Sequence, residues 1–497
     1  MRYWTLVAAL GASLVAIGAG NVVLGDVIIH MKNGTTIRVP ANNDDIAKIE
    51  FEEAAASKTP EATATPVVKP KPAPKPARSA GYTQDKITAR DLANSVGGGK
   101  VVALPGASQF NDAALQGRGE QGKVLSIGRI ISVGPGRDYE RPSDAARDMK
   151  PGDTLEIEPG LYLNDFTVWD KDNITLRGIV RDGKRPHLRA TTSPSNRKAI
   201  WVIDGRNVVV ENIEFSGAAV RDRNGAGIRF QSGSLTVRNS WFHHNQMGLL
   251  TSNLETAQLT IENSEFSFRT LTDGLGHGLY VGRIGKVTVR NSYFHHNDIG
   301  HHLKSRARES YIYGNKIVDA ADGGSSYLVD ISNCGTTFLV GNVLQQGVNT
   351  ENTNMIAYGS EGCGANPAAL YMAHNTVVNE RGAGAFLMNK SAQPAVMINN
   401  LLVGRGTPVD GPANQKGTLA LEESKFVDRA NQNFHLTEGA KAIDAGVVVG
   451  KAGGRSLIPL IEFSFPGKPK QRTPMGQPDI GAFEFGGWRR VGPLSAD

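Results

Sequence analysis

One short phrase recurs eight times along the chain. It reads VVVENIEFSG from Val208, LTVRNSWFHHN from Leu235, LTIENSEFSF from Leu259 and VTVRNSYFHHN from Val287. It continues as SYIYGNKIVD from Ser310, TFLVGNVLQQ from Thr337, LYMAHNTVVN from Leu370 and VMINNLLVG from Val396. With the shared asparagine as marker, Asn212, Asn239, Asn263, Asn291, Asn315, Asn342, Asn375 and Asn400 follow one another at steps of 24 to 33 residues. A second strand family lies between the markers: GIRF at Gly227, GLLT at Gly248, GLYV at Gly278, HHLKS at His301, SYLVDIS at Ser326, MIAYGS at Met355 and AFLMN at Ala385. Each period supplies at least two short alternating strands separated by Gly/Asn turns. A propeller blade needs about 40–45 residues, so the repeat is too short for one. Strands rich in Val, Ile and Thr, stacked one coil per period, make an all-β parallel β-helix. Residues 152 to about 405 leave room for about ten coils, a rod of about 48 Å at 4.7–4.9 Å per coil.

Composition fits this reading. Glycine stands at 58 of 497 residues, an excess that a coil with several turns requires. A long helical bundle is excluded, because glycine disfavours helix interiors by about 1 kcal/mol per residue. The net charge of +6 is mostly local: residues 54–80 hold five basic groups (Lys58, Lys69, Lys71, Lys75, Arg78) against Glu61. The rest of the chain is close to neutral, so overall basicity gives no argument for nucleic-acid binding.

Residues 1–25 read as a secretory signal peptide, with an uncleaved membrane anchor as the alternative. Either way the chain is expected to be exported, to the periplasm or beyond. Residues 26–53 read as a small β unit, since VIIHMK and TTIRVP flank Asn33-Gly34, a type I′ hairpin signal. Residues 54–80, with six prolines, form an extended linker, and 81–123 an irregular connection. The β-helix occupies 124–487 and a tail 488–497. Cys334 and Cys363 fall near equivalent places on successive coils, within disulfide reach, and are expected to be bridged in an oxidising compartment. A monomer is expected.

The stretch SDAARDMKPGDTLEIEPGLY (Ser143–Tyr162) with NITLRG (Asn173–Gly178) resembles the opening of pectate-lyase-like right-handed β-helix proteins. The closing AIDAG (Ala442–Gly446) and PDIGAFE (Pro478–Glu484) are similar to the C-terminal ends of bacterial members. The resemblance covers roughly 125–487 and implies a right-handed coil. It leaves function open, since the fold carries lyases, hydrolases, epimerases and non-enzymes.

Reactive side chains are densest at 273–308, in DGLGHGLY with His277 and Tyr280, and in HHNDIGHHLKSRAR from His295 to Arg308. Strand alternation puts His302, Lys304 and Arg306 on one face, with Leu303 directed into the core. Aligning Gly278 with Gly300 sets Tyr280 beside His302, and the following coil brings Tyr327, Asp330 and Asn333 alongside. These residue types suit β-elimination at a uronic acid, which needs positive charge on the carboxylate, a base at the adjacent proton and an acid for the departing oxygen. Arg306 or Arg308 would neutralise, Lys304 or His302 abstract, and Tyr280 or His277 donate. A C5-epimerase shares the first step. The expected partner is an acidic polysaccharide.

Lys304-Ser305 followed by YIYGNKI with Asn315 resembles the Lys-Ser…Asn segment of chondroitinase-B and alginate-lyase β-helix enzymes, which implies Lys304 as the base. The family's Arg-His-Gly on the next coil is replaced by Val329-Asp330-Ile331. Its acidic calcium ligands are replaced by Asn297, Ile299 and His302. No metal ligands are therefore assigned, and calcium stays an open candidate as cofactor. The Phe-His-His-Asn phrase at 242–245 and 294–297 reads as a duplicated turn holding His243, His244, His295 and His296. A glycoside hydrolase, drawing on Asp273, Asp298, Asp319, Asp322 or Asp330, and a non-catalytic glycan-binding rod are the alternatives.

Overall fold

A computed structural model of the chain describes residues 128–268, 276–320, 323–473 and 476–486, together with the backbone of three short strands nearer the N-terminus. Those three form a small antiparallel sheet in which Val27–Met31 pairs with Ala12–Ser13 and with Thr36–Val39. In this sheet Val27 stands opposite Val39 and His30 opposite Thr36. The expectations for residues 54–80, 81–123 and 488–497 lie outside the described residues. Among the described residues no helix is long and apolar enough to cross a membrane.

The body is a right-handed parallel β-helix built from three parallel sheets, here called one, two and three. Sheet one has ten strands, from Thr167–Trp169 to Thr407–Asp410. Sheet two has twelve, from Ile130–Val133 to Ala413–Lys416, and sheet three has eleven, from Gly160–Leu163 to Leu419–Leu421. Within each sheet, neighbouring strands are the same segment of successive coils. Ala199–Ile203, Val208–Glu211 and Glu214–Ser216 make one coil, and Ala226–Phe230, Ser234–Arg238 and Trp241–His243 stack on it in register. The repeated phrase around each asparagine is thus two strands meeting at a corner. The third strand of the coil is the GIRF-like family.

That corner carries two adjacent columns of residues. Asn212, Asn239, Asn263 and Asn291 have φ of 62°, 48°, 52° and 44°, the left-handed conformation that asparagine tolerates. From Asn315 onward the marker slips by one residue. Gly314, Gly341, His374 and Asn399 take the left-handed position, with φ of 56°, 68°, 52° and 53°. Asn315, Asn342, Asn375 and Asn400 instead point inward and are buried, in the column filled earlier by Ser240, Ser264 and Ser292. A buried corner strands backbone groups that no sheet can pair. The asparagine amide, both donor and acceptor, satisfies them. Asn342 Nδ2 donates to the Ile312 carbonyl at 2.8 Å and to Asn375 Oδ1 at 3.0 Å, while its own Oδ1 accepts from the Asn315 N–H at 2.9 Å.

The core follows the same stacking. Phe215, Phe242, Phe266 and Phe294 lie face to face at centroid distances of 5.1, 4.8 and 4.7 Å, the spacing of the strands that carry them. The C-terminal segment then folds back over the coils. Ala442, Ile480, Ala482 and Phe483, from the AIDAG and PDIGAFE phrases, pack with Phe434 against Val343, Val378, Leu401 and Val403 on the outside of sheet three. Asp479 locks the two phrases together by accepting from the Asp444 N–H at 2.7 Å.

Removing an inward asparagine orphans buried backbone groups, whereas removing a left-handed one strains a turn and loses a part-exposed hydrogen bond, for Asn212 the one to the Gly178 carbonyl at 3.1 Å. Asn342→Ala is expected to cost about 2–3 kcal/mol, and Asn212→Ala about 1 kcal/mol. Urea unfolding of both variants checks this, and equal losses would contradict the two-column assignment.

Candidate functional site

One outward row of sheet one runs Val202, Arg229, Leu250, Tyr280, Lys304, Asp330, Ala357 and Met388 on successive coils. Apart from Arg229, its polar side chains fall on the three central coils. Tyr280 stands opposite Lys304, and Lys304 opposite Asp330. The expected pairing of Tyr280 with His302 is therefore wrong by two residues. The error came from aligning Gly278 with Gly300, whereas the ladder pairs His277 with His301 and Leu279 with Leu303.

His302 occupies the row position held by Gly278 and, in earlier coils, by Gly248 and Gly227. A Cβ on Gly227 or Gly248 would meet the core rings of Phe242 or Phe266 at 2.8 and 2.7 Å, so side chains here point inward. The His302 side chain is 0% exposed, bonding Asp319 Oδ1 and accepting from Asn297 Nδ2, both at 2.9 Å. It braces the interior and does not reach the surface. Ser305 and Asn315, the other residues of the Lys-Ser…Asn resemblance, are interior too, Ser305 against Ser310 and Asn315 in the corner ladder. Of that segment only Lys304 faces outward.

Around Lys304 the structure assembles a compact charged cluster. Lys304 Nζ lies 3.2 Å from Asp330 Oδ2 and 2.8 Å from Glu361 Oε1. Arg306 places Nη2 at 2.7 and 2.6 Å from the two Glu361 oxygens and donates through Nη1 to the Tyr280 hydroxyl. Its guanidinium sits 5.1 Å from the centre of the Tyr280 ring. Asp330 is buried and also accepts from Ser332 Oγ at 2.6 Å and Ser360 Oγ at 2.8 Å. His277 and His301 stack at 4.7 Å, with Tyr280 5.1 Å from His277 and Tyr327 5.0 Å from His301. Each imidazole Nδ1 accepts a backbone N–H from the next coil, of His301 and Tyr327 respectively, which sets both tautomers with the proton on Nε2. His301 turns that Nε2 toward Asp330 at 3.5 Å.

Glu361 has no precedent in the sequence reading. It sits in the loop after Ile356–Tyr358, one coil beyond Asp330, and only three-dimensional register reveals it. Two neighbours hold that loop. Cys334 and Cys363 are bridged as expected, with Cα atoms 4.8 Å apart, and Asn333 Nδ2 donates to the Gly362 carbonyl at 3.1 Å. Asn333 is thus placed as a brace of the loop. Arg308 is exposed at the corner leading to sheet two. The four histidines at 295–302 are split: His295 lies on sheet three and bonds Glu265, while His301 and His302 belong to sheet one. The duplicated Phe-His-His-Asn turn is real, with His244 and His296 both left-handed at φ 51° and 49°.

Burial opposes the charge on Lys304, but Asp330 and Glu361 outweigh it and hold the ammonium above the ordinary lysine value. Burial likewise works against Glu361, yet Arg306 and Lys304 pull its carboxyl down to about 2. The two directions agree: the resting cluster is a fully ionised pair of cations gripping a carboxylate. Calcium does not fit here. The cluster's two carboxylates are already engaged by Lys304 and Arg306, and calcium asks for six to eight oxygen ligands.

Residues 254–402 match the family model described as right handed beta helix region, a span that includes Tyr280, Lys304, Asp330 and Glu361. Among solved structures, a pectate lyase, Pel9A, is 19% identical over 73% of this chain and 98% of its own, with a TM-score of 0.48. A PL6 family polysaccharide lyase from Pseudopedobacter saltans is 11% identical over 71% and 99%, with a TM-score of 0.28. A pectin methylesterase from Aspergillus niger is 13% identical over 61% and 85%, with a TM-score of 0.31. No curated protein gave a significant sequence match. The family model and the three parallel sheets agree on a right-handed parallel β-helix.

Because the Glu361 carboxyl is depressed, its ion pairs stabilise the fold above its ordinary value of 4.5 and fade as pH falls through about 2. The raised Lys304 sets the opposite limit, with stability kept below 10.5 and lost as pH climbs past its folded value. Glu361→Gln is expected to lower Tm by a constant amount from pH 5 to 10, with the gap to wild type closing between pH 4.5 and 2. A gap that persists at pH 2 would contradict the ion-pair origin.

Proposed function

We propose that this chain is an exported enzyme acting on a uronate-containing glycan, as a β-eliminating lyase or a C5-epimerase. The observation that carries the reading is the carboxylate seat itself. Lys304 and Arg306 already hold a carboxylate between them, and the Tyr280 hydroxyl bonds to the same guanidinium. A uronate carboxyl entering this seat would displace Glu361, whose side chain is 41% exposed on a surface loop. The bidentate Arg306 fork suits such an exchange of one carboxylate for another.

With the uronate seated, neutralisation of its carboxylate acidifies the proton on the adjacent C5, because the charge that develops on proton loss spreads into that carboxylate. Removal of the proton and cleavage of the C4–O bond leave a C4=C5 double bond, and the departing oxygen takes a proton. In epimerisation the C4–O bond stays and the proton returns to C5 from the opposite face. Lys304, the base that the resemblance implies, is held here as an ammonium, so its role in this reading is to neutralise with Arg306. The proton leaving C5 goes to the Tyr280 oxygen, acting as its phenolate against the Arg306 N–H that it accepts, and the Tyr280 O–H so formed passes it to the departing oxygen. His277, 5.1 Å from its ring, lies beside it. A hydrolase needs a protonated carboxylic acid beside a carboxylate. Glu361, pulled to about 2 by two cations, does not supply one.

Incubation with polyuronates is expected to yield ultraviolet-absorbing unsaturated ends, or isomerised residues by NMR. Tyr280→Phe should lower kcat at least 100-fold with KM little changed. Lys304→Ala and Arg306→Ala should raise KM as well, while Glu361→Ala, which vacates the seat, should lower it. Binding without turnover of any polyuronate, or a Tyr280→Phe variant at wild-type rate, would overturn the proposal in favour of a binding rod.

A further inference from the structure

The outer face of sheet three carries a second chemical row, distinct from the Lys304 cluster. On successive coils it reads His187, Glu214, Trp241, Glu265 and Tyr293, and these residues line a groove of about 750 Å³ that Phe465 and Pro466 close at one side. Two strand positions further on, a companion row places His243 beside Ser216 and His295 beside Ser267. The duplicated sequence phrase therefore builds the same pair twice. His243 Nε2 lies 2.9 Å from Glu214 Oε1, and His295 Nε2 lies 2.9 Å from Glu265 Oε1.

The two copies differ at one place. Opposite Glu214 on the preceding coil stands His187, whereas opposite Glu265 stands Trp241. His187 Nδ1 lies 3.2 Å from the same Glu214 Oε1 that His243 approaches. The first copy thus gathers two imidazole nitrogens and a carboxylate oxygen, with all three donor atoms within 4.8 Å of one another. The second copy gathers only two donors.

We propose that His187, Glu214 and His243 form a binding site for a divalent transition-metal ion of the zinc type. Four ligands at 2.0–2.1 Å around tetrahedral zinc stand roughly 3.3 Å apart, and the separations of 2.9 and 3.2 Å found here are close to that edge. Imidazole and carboxylate are also the ligand types this class of ion prefers. The remaining ring nitrogens are already oriented as ligating histidines require. His187 Nε2 is 2.6 Å from Ser216 Oγ, and His243 Nδ1 is 2.7 Å from His244 Nδ1. Three protein ligands leave the fourth position for water or for an oxygen of a molecule in the groove. Stacking at one strand spacing explains the geometry: parallel coils bring residues 27 to 29 apart in sequence within ligand distance.

The test uses the full chain, stripped with a chelator and titrated with zinc chloride by calorimetry. One ion per chain is expected. His187→Ala and His243→Ala should each weaken binding at least tenfold, and His295→Ala should leave it within about twofold of wild type. On the unsubstituted protein, zinc should protect His187 and His243, and not His295, from acylation read by peptide mass mapping. This second readout does not depend on a variant folding. Absence of stoichiometric zinc binding, undiminished binding by both His187→Ala and His243→Ala, or equal protection of His295 would overturn the proposal.

Discussion

Everything in this molecule depends on one distance, the 4.7–4.9 Å between parallel strands. Once the coils stack in register, each position of the repeat becomes a column, and each column must tolerate its own copies as neighbours. Phenylalanine does so by stacking, from Phe215 to Phe294. Serine and asparagine do so by bonding the next coil, from Ser240 to Asn400. Charged groups manage it by alternating sign or by sharing a counter-charge, and the neutral imidazoles of His277 and His301 by stacking.

The two chemical clusters follow from that rule. On sheet one, Lys304 faces Asp330 on the next coil and Glu361 one coil further, while Arg306 shares Glu361. On sheet three, each glutamate takes a histidine from the following coil. In both places the strand spacing brings partners from successive coils together and lets side chains distant in sequence act as one group. The resting Lys304 cluster is charge-satisfied, which explains how two outward cations and a buried carboxylate persist without destabilising the rod.

The sequence made the solenoid, its coil length and the disulfide legible, because each rests on periodicity that survives any small error of alignment. The inward direction of Leu303 was legible for the same reason. Register was not. A slip of two residues set Tyr280 beside His302 instead of Lys304, because Gly278 and Gly300 look equivalent. His302 itself was put outward by strand alternation, whereas its column, filled by Gly227 and Gly248 on earlier coils, points inward. The marker asparagines hid a second slip, since asparagine serves both the left-handed corner and the inward ladder. Glu361 was invisible for a different reason. It lies in a loop of irregular length, 57 residues after the lysine it binds.

The most direct measurement is a crystal structure of the chain with a uronate oligosaccharide. The account predicts a sugar carboxylate between Lys304 and Arg306, Glu361 displaced from that seat, and the Tyr280 hydroxyl within hydrogen-bond distance of C5 or of the glycosidic oxygen. An oligosaccharide bound elsewhere, with Glu361 still clasped by both cations, would contradict it.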